Sequence, residues 1–327
     1  MRRLKSPVVL LAVSVALPVL AQDQPIQEQE RYAELNALVA RREYAHADRI
    51  IRQLLGSSTD PATTYFQIGK VYFDHEAWKL SSGFLEKSLE LNSGNDKAHQ
   101  LLGLGWRQLH QPEKAEAELL EAAKENPSDK TNAYFAGQQL LLDGKCEAAL
   151  PFLYSALDSA PLQLQTLEAL GLAQARLGNY GLAESYFRKV VNSSDHGHYS
   201  ALVNLSLLLL LGHDSAHLEE GLHYAQRAAK LEPASPEAHF LAGKALFKLG
   251  RLGEASQELT QAVKLNSEDS KSHFLLAQIY DRLGQPDRAQ KERKDVARLQ
   301  ARQGQAGMST IDPVPVAPEN FLERQPR

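Results

Sequence analysis

A single cysteine, Cys146, stands among 327 residues, so no intramolecular disulfide can form and no site built on several cysteines is available. Aromatic residues make up 7% of the chain, and few stretches alternate apolar with polar side chains, which argues against a sheet-based core. No phosphate-cradling glycine loop and no nucleophile elbow is present. An excess of basic charge is missing as well, with 36 Lys and Arg against 40 Asp and Glu. Without a net basic face, nucleic acid and anionic membrane are not expected partners. Ala, Leu, Glu, Gln and Lys dominate what remains, and these are helix formers. The expected class is all-α.

The N-terminal segment reads as an export signal. Arg2, Arg3 and Lys5 precede an apolar run over residues 8–17, and Val19, Leu20 and Ala21 end it with the residue types a signal peptidase accepts. The run is shorter than the roughly 20 residues a membrane span needs. The expected organisation is therefore a signal peptide over 1–21, cleaved after Ala21, and a short linker over 22–27. Loss of Arg2, Arg3 and Lys5 would leave 33 basic residues against 40 acidic ones, a net charge of −7. The expected location is periplasmic or extracellular, with no integral span after cleavage.

From residue 28 the sequence repeats itself about every 34 residues. A small residue recurs as Gly69, Gly103, Gly137, Gly171, Gly243 and Ala277. Twelve positions later another appears: Ser81, Ala115, Ala149, Ala183, Ala255 and Ala289. Leu102, Leu119, Leu153, Leu170, Phe187 and Leu259 supply the large apolar residues between them. Gly144, Gly178, Gly212, Gly250 and Gly284 fall where a left-handed residue would end a first helix, and Pro127, Pro161 and Pro233 close three units. Such a pattern specifies antiparallel helix pairs whose small residues let the backbones approach, and one pair alone cannot bury its apolar face.

In these positions the chain is similar to the tetratricopeptide repeat, most closely through Leu102, Gly103, Trp106, Ala115, Leu119, Ala122 and Pro127, and through Leu170, Gly171, Gly178, Tyr180, Ala183 and Phe187. The resemblance implies an α-solenoid, a right-handed superhelix of antiparallel helix pairs, with eight repeats over 28–303: 28–61, 62–95, 96–129, 130–163, 164–197, 198–235, 236–269 and 270–303. The first and sixth carry Leu35 and Leu205 where the small residue belongs. Four extra residues in the sixth are expected to lengthen the turn over 213–220. The last repeat has Arg293 at an apolar position and a polar second helix, which suits a terminal cap. Beyond residue 303 the Pro-containing tail, 304–327, is expected to be extended.

The resemblance also implies a working surface. In that family the second, fifth, ninth, twelfth and thirteenth residues of each first helix line a groove that holds a protein or peptide segment. Carried onto this chain, the groove positions include Tyr32, Phe66, Lys70, Phe73, Arg107, Tyr134, Gln138, Tyr199, Phe240, Lys244, Phe247, Lys248, Lys271, Phe274 and Arg282. The fifth positions are rich in aromatics, with Gln100, Glu168 and Leu202 as the exceptions. Lys244, Lys248, Lys271 and Arg282 make the C-terminal half of the groove basic, and the partner expected there carries Asp, Glu or a free carboxylate. The family's carboxylate clamp is not reproduced residue by residue.

Neither a catalytic set nor a cofactor is expected. His196, His198, His213 and His217 gather near the sixth repeat with spacing open to metal ligation, but no acid or cysteine completes the set. Cys146 reads as a buried packing thiol. The expected function is a binding scaffold of the bacterial cell envelope, the alternative being a recruiting subunit of an envelope enzyme complex.

Overall fold

The computed structural model describes residues 19–157, 162–193, 198–212 and 214–305. Residues 1–18 of the expected signal, His196, His213 and the tail beyond Gln305 lie outside the described residues. Those described form two compact bodies, one ending at Pro127 and one beginning at Ser128.

The N-terminal body contains three helix pairs: α1 (Val19–Ala40) with α2 (Tyr44–Ser57), α3 (Pro61–Asp74) with α4 (Trp78–Leu91), and α5 (Asp96–Gln108) with α6 (Pro112–Glu125). The C-terminal body contains five: α7 (Lys130–Leu142) with α8 (Cys146–Ala156), α9 (Gln163–Arg176) with α10 (Tyr180–Asn192), α11 (Tyr199–Leu209) with α12 (Ser215–Leu231), α13 (Pro236–Lys248) with α14 (Leu252–Leu265), and α15 (Ser270–Arg282) with α16 (Pro286–Gln305). Helix α1 runs through residues 22–27. Each pair packs on itself, and successive first helices touch, α1 on α3 and α3 on α5 in one body, and α7 through α15 in turn in the other. First helices therefore form one layer of each body. No helix among the described residues is long and apolar enough to cross a membrane.

The helix starts are written locally. Asp60, Asn95, Asp129, Ser235 and Asp269 sit at the N-caps of α3, α5, α7, α13 and α15, and each side chain accepts a backbone N–H of the first turn. The turn inside each pair needs a left-handed residue. Gly144, Gly178, Gly250 and Gly284 provide it with φ between 68° and 79°, and in the first three repeats Arg42, Glu76 and His110 occupy the same place at φ 60°, 60° and 55°. Gly212 is not left-handed. In the sixth repeat α12 begins at Ser215, so most of the stretch expected to be a long turn adds length to the helix instead.

Close approach within the pairs follows the expected small residues. A Cβ on Gly69, Gly103, Gly137, Gly171 or Gly243 would come within 2.5–2.8 Å of Leu85, Leu119, Leu153, Phe187 or Leu259. Those five partners are at most 1% exposed. Van der Waals packing at this density leaves no room for a methyl group. In the sixth repeat the sizes are exchanged across the pair. There α11 contributes the large residues, with every position from Ser200 to Leu209 buried, and α12 contributes Gly221, against Leu209 and Leu210, and the fully buried Ala225. Leu205 is buried without clash for this reason.

On α16 only Ala289 and Leu299 are buried among the described side chains. Arg293 stands clear of the pair seam, its Nη1 2.6 Å from Asp281 Oδ2. Cys146 is buried and free.

Candidate functional site

In the N-terminal body the expected groove residues are largely engaged. Tyr32 is half-buried beside the Leu35 cluster, and burial pushes its hydroxyl above the usual tyrosine range. Phe66 packs on Leu85, Ala98 and Leu102. Phe73 meets Trp78 edge to face at 4.9 Å. Lys70 donates to Asp74 across one helical turn at 2.6 Å, which neutralises its charge. Arg107 is half-buried.

Tyr134 and Gln138, in the C-terminal body, do not line an open surface. They are 4% and 8% exposed, and Gln138 Nε2 donates to Tyr134 Oη at 2.8 Å. Nine of the thirteen residues of α7 are buried, Asn132 and Gln139 among them, so the helix is covered on nearly every side. Glu168, also a fifth position, is buried too, and Ser200 Oγ donates to its carboxylate. Burial pushes Glu168 up to about 7, against the opposing effect of that hydrogen bond.

One of the expected basic contacts serves the fold. Lys248 Nζ donates to Leu210 O at 2.6 Å and Gly212 O at 3.2 Å, satisfying carbonyls at the end of α11. Arg176, at the corresponding position of α9, does the same for Leu141 O at the end of α7, at 2.5 Å. A cation in the last turn of a first helix thus caps the first helix before it. Tyr199 is similarly committed, its hydroxyl 2.5 Å from Ser235 Oγ at the start of α13.

What remains open is a face of α13 and α15. Phe240, Lys244 and Phe247 follow one another at four and three residues along α13, and Lys271 and Phe274 at three along α15, so each set shares a helix face. Phe274 is 53% exposed. Arg282 lies over the Phe247 ring at 4.5 Å. Lys244 is half-buried and carries no ion pair or hydrogen bond among the described residues. Burial first, then Lys248 and Lys271, hold its amine below the usual lysine range. Glu237, two turns before Lys244 on the same face of α13, is raised by burial, with Lys271 opposing. The result is an aromatic-flanked patch in which Lys271 faces Glu237 and Lys244 has no anion among the described residues.

Other clusters have different roles. Arg188 on α10 is fixed by Glu184 and Glu220, with Nη2 2.9 Å from Glu220 Oε2, so the surface hollow along α10 is electrically satisfied. His198 stands at the start of α11, and the exposed His217 lies 3.4 Å from Asp214. His273, Glu292 and Asp295 bring ligand-type atoms within 4.8 Å of one another. There the ring nitrogens are already hydrogen-bonded, to Glu292 and to Ser267 O. The corresponding contacts of His99 and His239 were not visible to sequence reasoning, although a His followed 19 residues later by Glu in three repeats was the signal to find them.

Family profiles described as TPR repeat and tetratricopeptide repeat match residues 164–195, 214–263, 243–284 and 270–301. The chain is a tetratricopeptide-repeat protein. Its solved likenesses extend beyond those windows. PilW, a widely conserved type IV pilus biogenesis factor, is 17% identical over 66% of this chain and 97% of its own, with a TM-score of 0.56. The APC/C hetero-tetramer Cut9–Hcn1 is 15% identical over 79% of this chain and 50% of its own, with a TM-score of 0.56. MamA from Desulfovibrio magneticus RS-1, residues 41 to its end, is 26% identical over 54% of this chain and 97% of its own, with a TM-score of 0.49. The likenesses to PilW and Cut9–Hcn1 show the shared tetratricopeptide-repeat fold. No curated protein matches the sequence.

Proposed function

We propose that this tetratricopeptide-repeat protein is a non-enzymatic scaffold of the bacterial cell envelope that holds a partner segment carrying Asp, Glu or a free carboxylate. The reading of export rests on the charged, apolar and small-residue succession over 1–21. The reading of the partner rests on one observation: Lys244 is half-buried, has no counter-ion among the described residues, and is further destabilised as a cation by Lys248 and Lys271. A bound carboxylate would remove that penalty and add charge-assisted hydrogen bonds. Phe240, Phe247 and Phe274 would cover the segment's apolar side chains. Lys271 and Arg282 would complete the cationic rim, whereas Lys248 contributes charge while remaining bonded to α11.

The test is binding of the full-length chain to immobilised peptides matched in length and hydrophobicity but differing in acidic, neutral or basic character. Acidic peptides should bind preferentially, and Lys244→Glu should weaken them by about tenfold or more, the size of one charge-assisted hydrogen bond. Equal capture of neutral peptides, or unchanged capture by the Lys244→Glu chain, would show that this patch does not select the partner.

A further inference from the structure

One geometry recurs at three repeat joints and is unrelated to capture of an anion. His99, His239 and His273 each occupy the fourth residue of their repeat. Their Nδ1 atoms lie 2.6, 2.7 and 2.5 Å from Glu118, Glu258 and Glu292, each 19 residues on, in the second helix of the same repeat. Their Nε2 atoms lie 2.9, 3.3 and 3.3 Å from the carbonyl oxygens of Ser93, Pro233 and Ser267, each six residues back, in the turn that enters the repeat. Each ring therefore ties the incoming turn to the second helix. All three side chains are at most 16% exposed.

The remaining repeats fill the same two positions without charge matching. Tyr65 and Phe84 stack with ring centroids 6.5 Å apart, and Ala133 with Phe152, Leu167 with Tyr186, Ala201 with Tyr224 and Arg31 with Ile50 take the other places, counting the four extra residues of the sixth repeat. A histidine occurs at the first position only where a glutamate occurs at the second.

We infer that these three joints are proton-dependent latches. A carboxylate and a carbonyl both accept, and a neutral imidazole has one N–H to give, so only the imidazolium satisfies both partners at once. Loss of that proton forces the ring to release the turn or the second helix. At His99 the groups facing the ring are Glu118 and, further off, Glu121, which is itself held by Lys124. At His239 the facing acid is Glu258, and at His273 it is Glu292 with Asp295 near by. The Glu118 bond holds His99 above the usual histidine range despite burial. A raised histidine stabilises the fold fully below its unfolded value, near 6.5, and that contribution disappears as pH rises through the higher folded value. The residues following the latches are Gln100, Phe240 and Phe274, so on the groove reading above each latch also steadies a fifth-position side chain.

The experiment needs no partner. Ring nitrogen shifts of the full-length chain, with histidines labelled in the ring, should show imidazolium at His99 at pH 6. Hydrogen exchange of the entering turns, corrected for the intrinsic pH dependence, should accelerate by about tenfold or more between pH 6 and 9, as expected for losing a hydrogen bond to a charged group. In His99→Tyr/Glu118→Phe, which installs the pair found in the second repeat, the turn before α5 should lose this pH component while the other two joints keep theirs. A neutral His99 ring at pH 6, or the same pH profile in the double variant, would overturn the inference. Weakened peptide capture with intact latches would instead count against the groove reading alone.

Discussion

Gly171→Ala tests the close approach of paired helices most directly. Its new Cβ would stand 2.6 Å from Phe187 Cε1 and 2.9 Å from both Cδ1 and Cζ, about 1 Å inside ordinary contact. Phe187 is 1% exposed and belongs to the buried cluster that includes Ala183, Val190 and Val191, so the ring can yield only by displacing packed neighbours. Replacing glycine in a helix interior contributes up to about 1 kcal/mol of stability, while an added methyl group in a filled core costs about 1–3 kcal/mol. The net expectation is destabilisation of roughly 1 kcal/mol. Gly83→Ala is the matched control, because Gly83 is exposed in the middle of α4 and a Cβ there meets nothing within 4 Å; it should stabilise by about 1 kcal/mol. Denaturant midpoints and slopes measure the difference, with amide exchange of α9 and α10 reporting whether the loss is local. In a Phe187→Ala background the sign at position 171 should reverse, since the obstructing ring is gone. A difference between Gly171→Ala and Gly83→Ala smaller than about 0.5 kcal/mol would refute the packing argument.

Three further outcomes follow from the same geometry. Glu76→Gly relieves a left-handed backbone at φ 60° and should stabilise the second repeat by about 0.5–1 kcal/mol, read as a rise in denaturant midpoint. Glu168→Gln should leave stability unchanged near pH 4.5 and raise it above pH 7 by on the order of 3 kcal/mol, because a folded value pushed up to about 7 makes the wild-type carboxyl lose stability as pH climbs from its unfolded range to that value and no further; parallel pH profiles of wild type and variant would contradict this. Lys248→Met keeps length but leaves Leu210 O and Gly212 O without their donor, so exchange at the end of α11 should quicken by roughly 1 kcal/mol while capture of an acidic peptide changes less than in Lys244→Glu.

Most of the architecture was legible because backbone chemistry repeats in register. Small residues 34 positions apart, and helix stops between them, determine the pairing before any contact is known. The left-handed turns of the first three repeats were not legible, since Arg42, Glu76 and His110 carry no glycine signature and are held there by the helices on either side. For a similar reason the sequence did not show which of the expected groove positions are covered. Family positions state which way a side chain faces, but not whether neighbours cover it, as α7 covers Tyr134 and Gln138, or whether a cation has already found a carbonyl, as Lys248 has. Glu168 looked like another groove position, and its burial depends on a tertiary neighbour, Ser200, that no local pattern announces. The histidine joints needed two positions to be compared together across all eight repeats.

The exchanged sizes in the sixth repeat limit how the array can grow. An unequal crossover that joins any ordinary first helix to any ordinary second helix keeps glycine opposite leucine or phenylalanine, and so adds or deletes a whole period in phase. A crossover in the turn between α11 and α12 has no such freedom. Joining α11 to an ordinary second helix would set Leu205 against another leucine, and joining α12 to an ordinary first helix would leave Gly221 and Ala225 opposite glycine, with a void between them. These two helices can be inherited or transplanted only together, so the sixth repeat cannot trade one helix with the repeats that set glycine opposite leucine or phenylalanine.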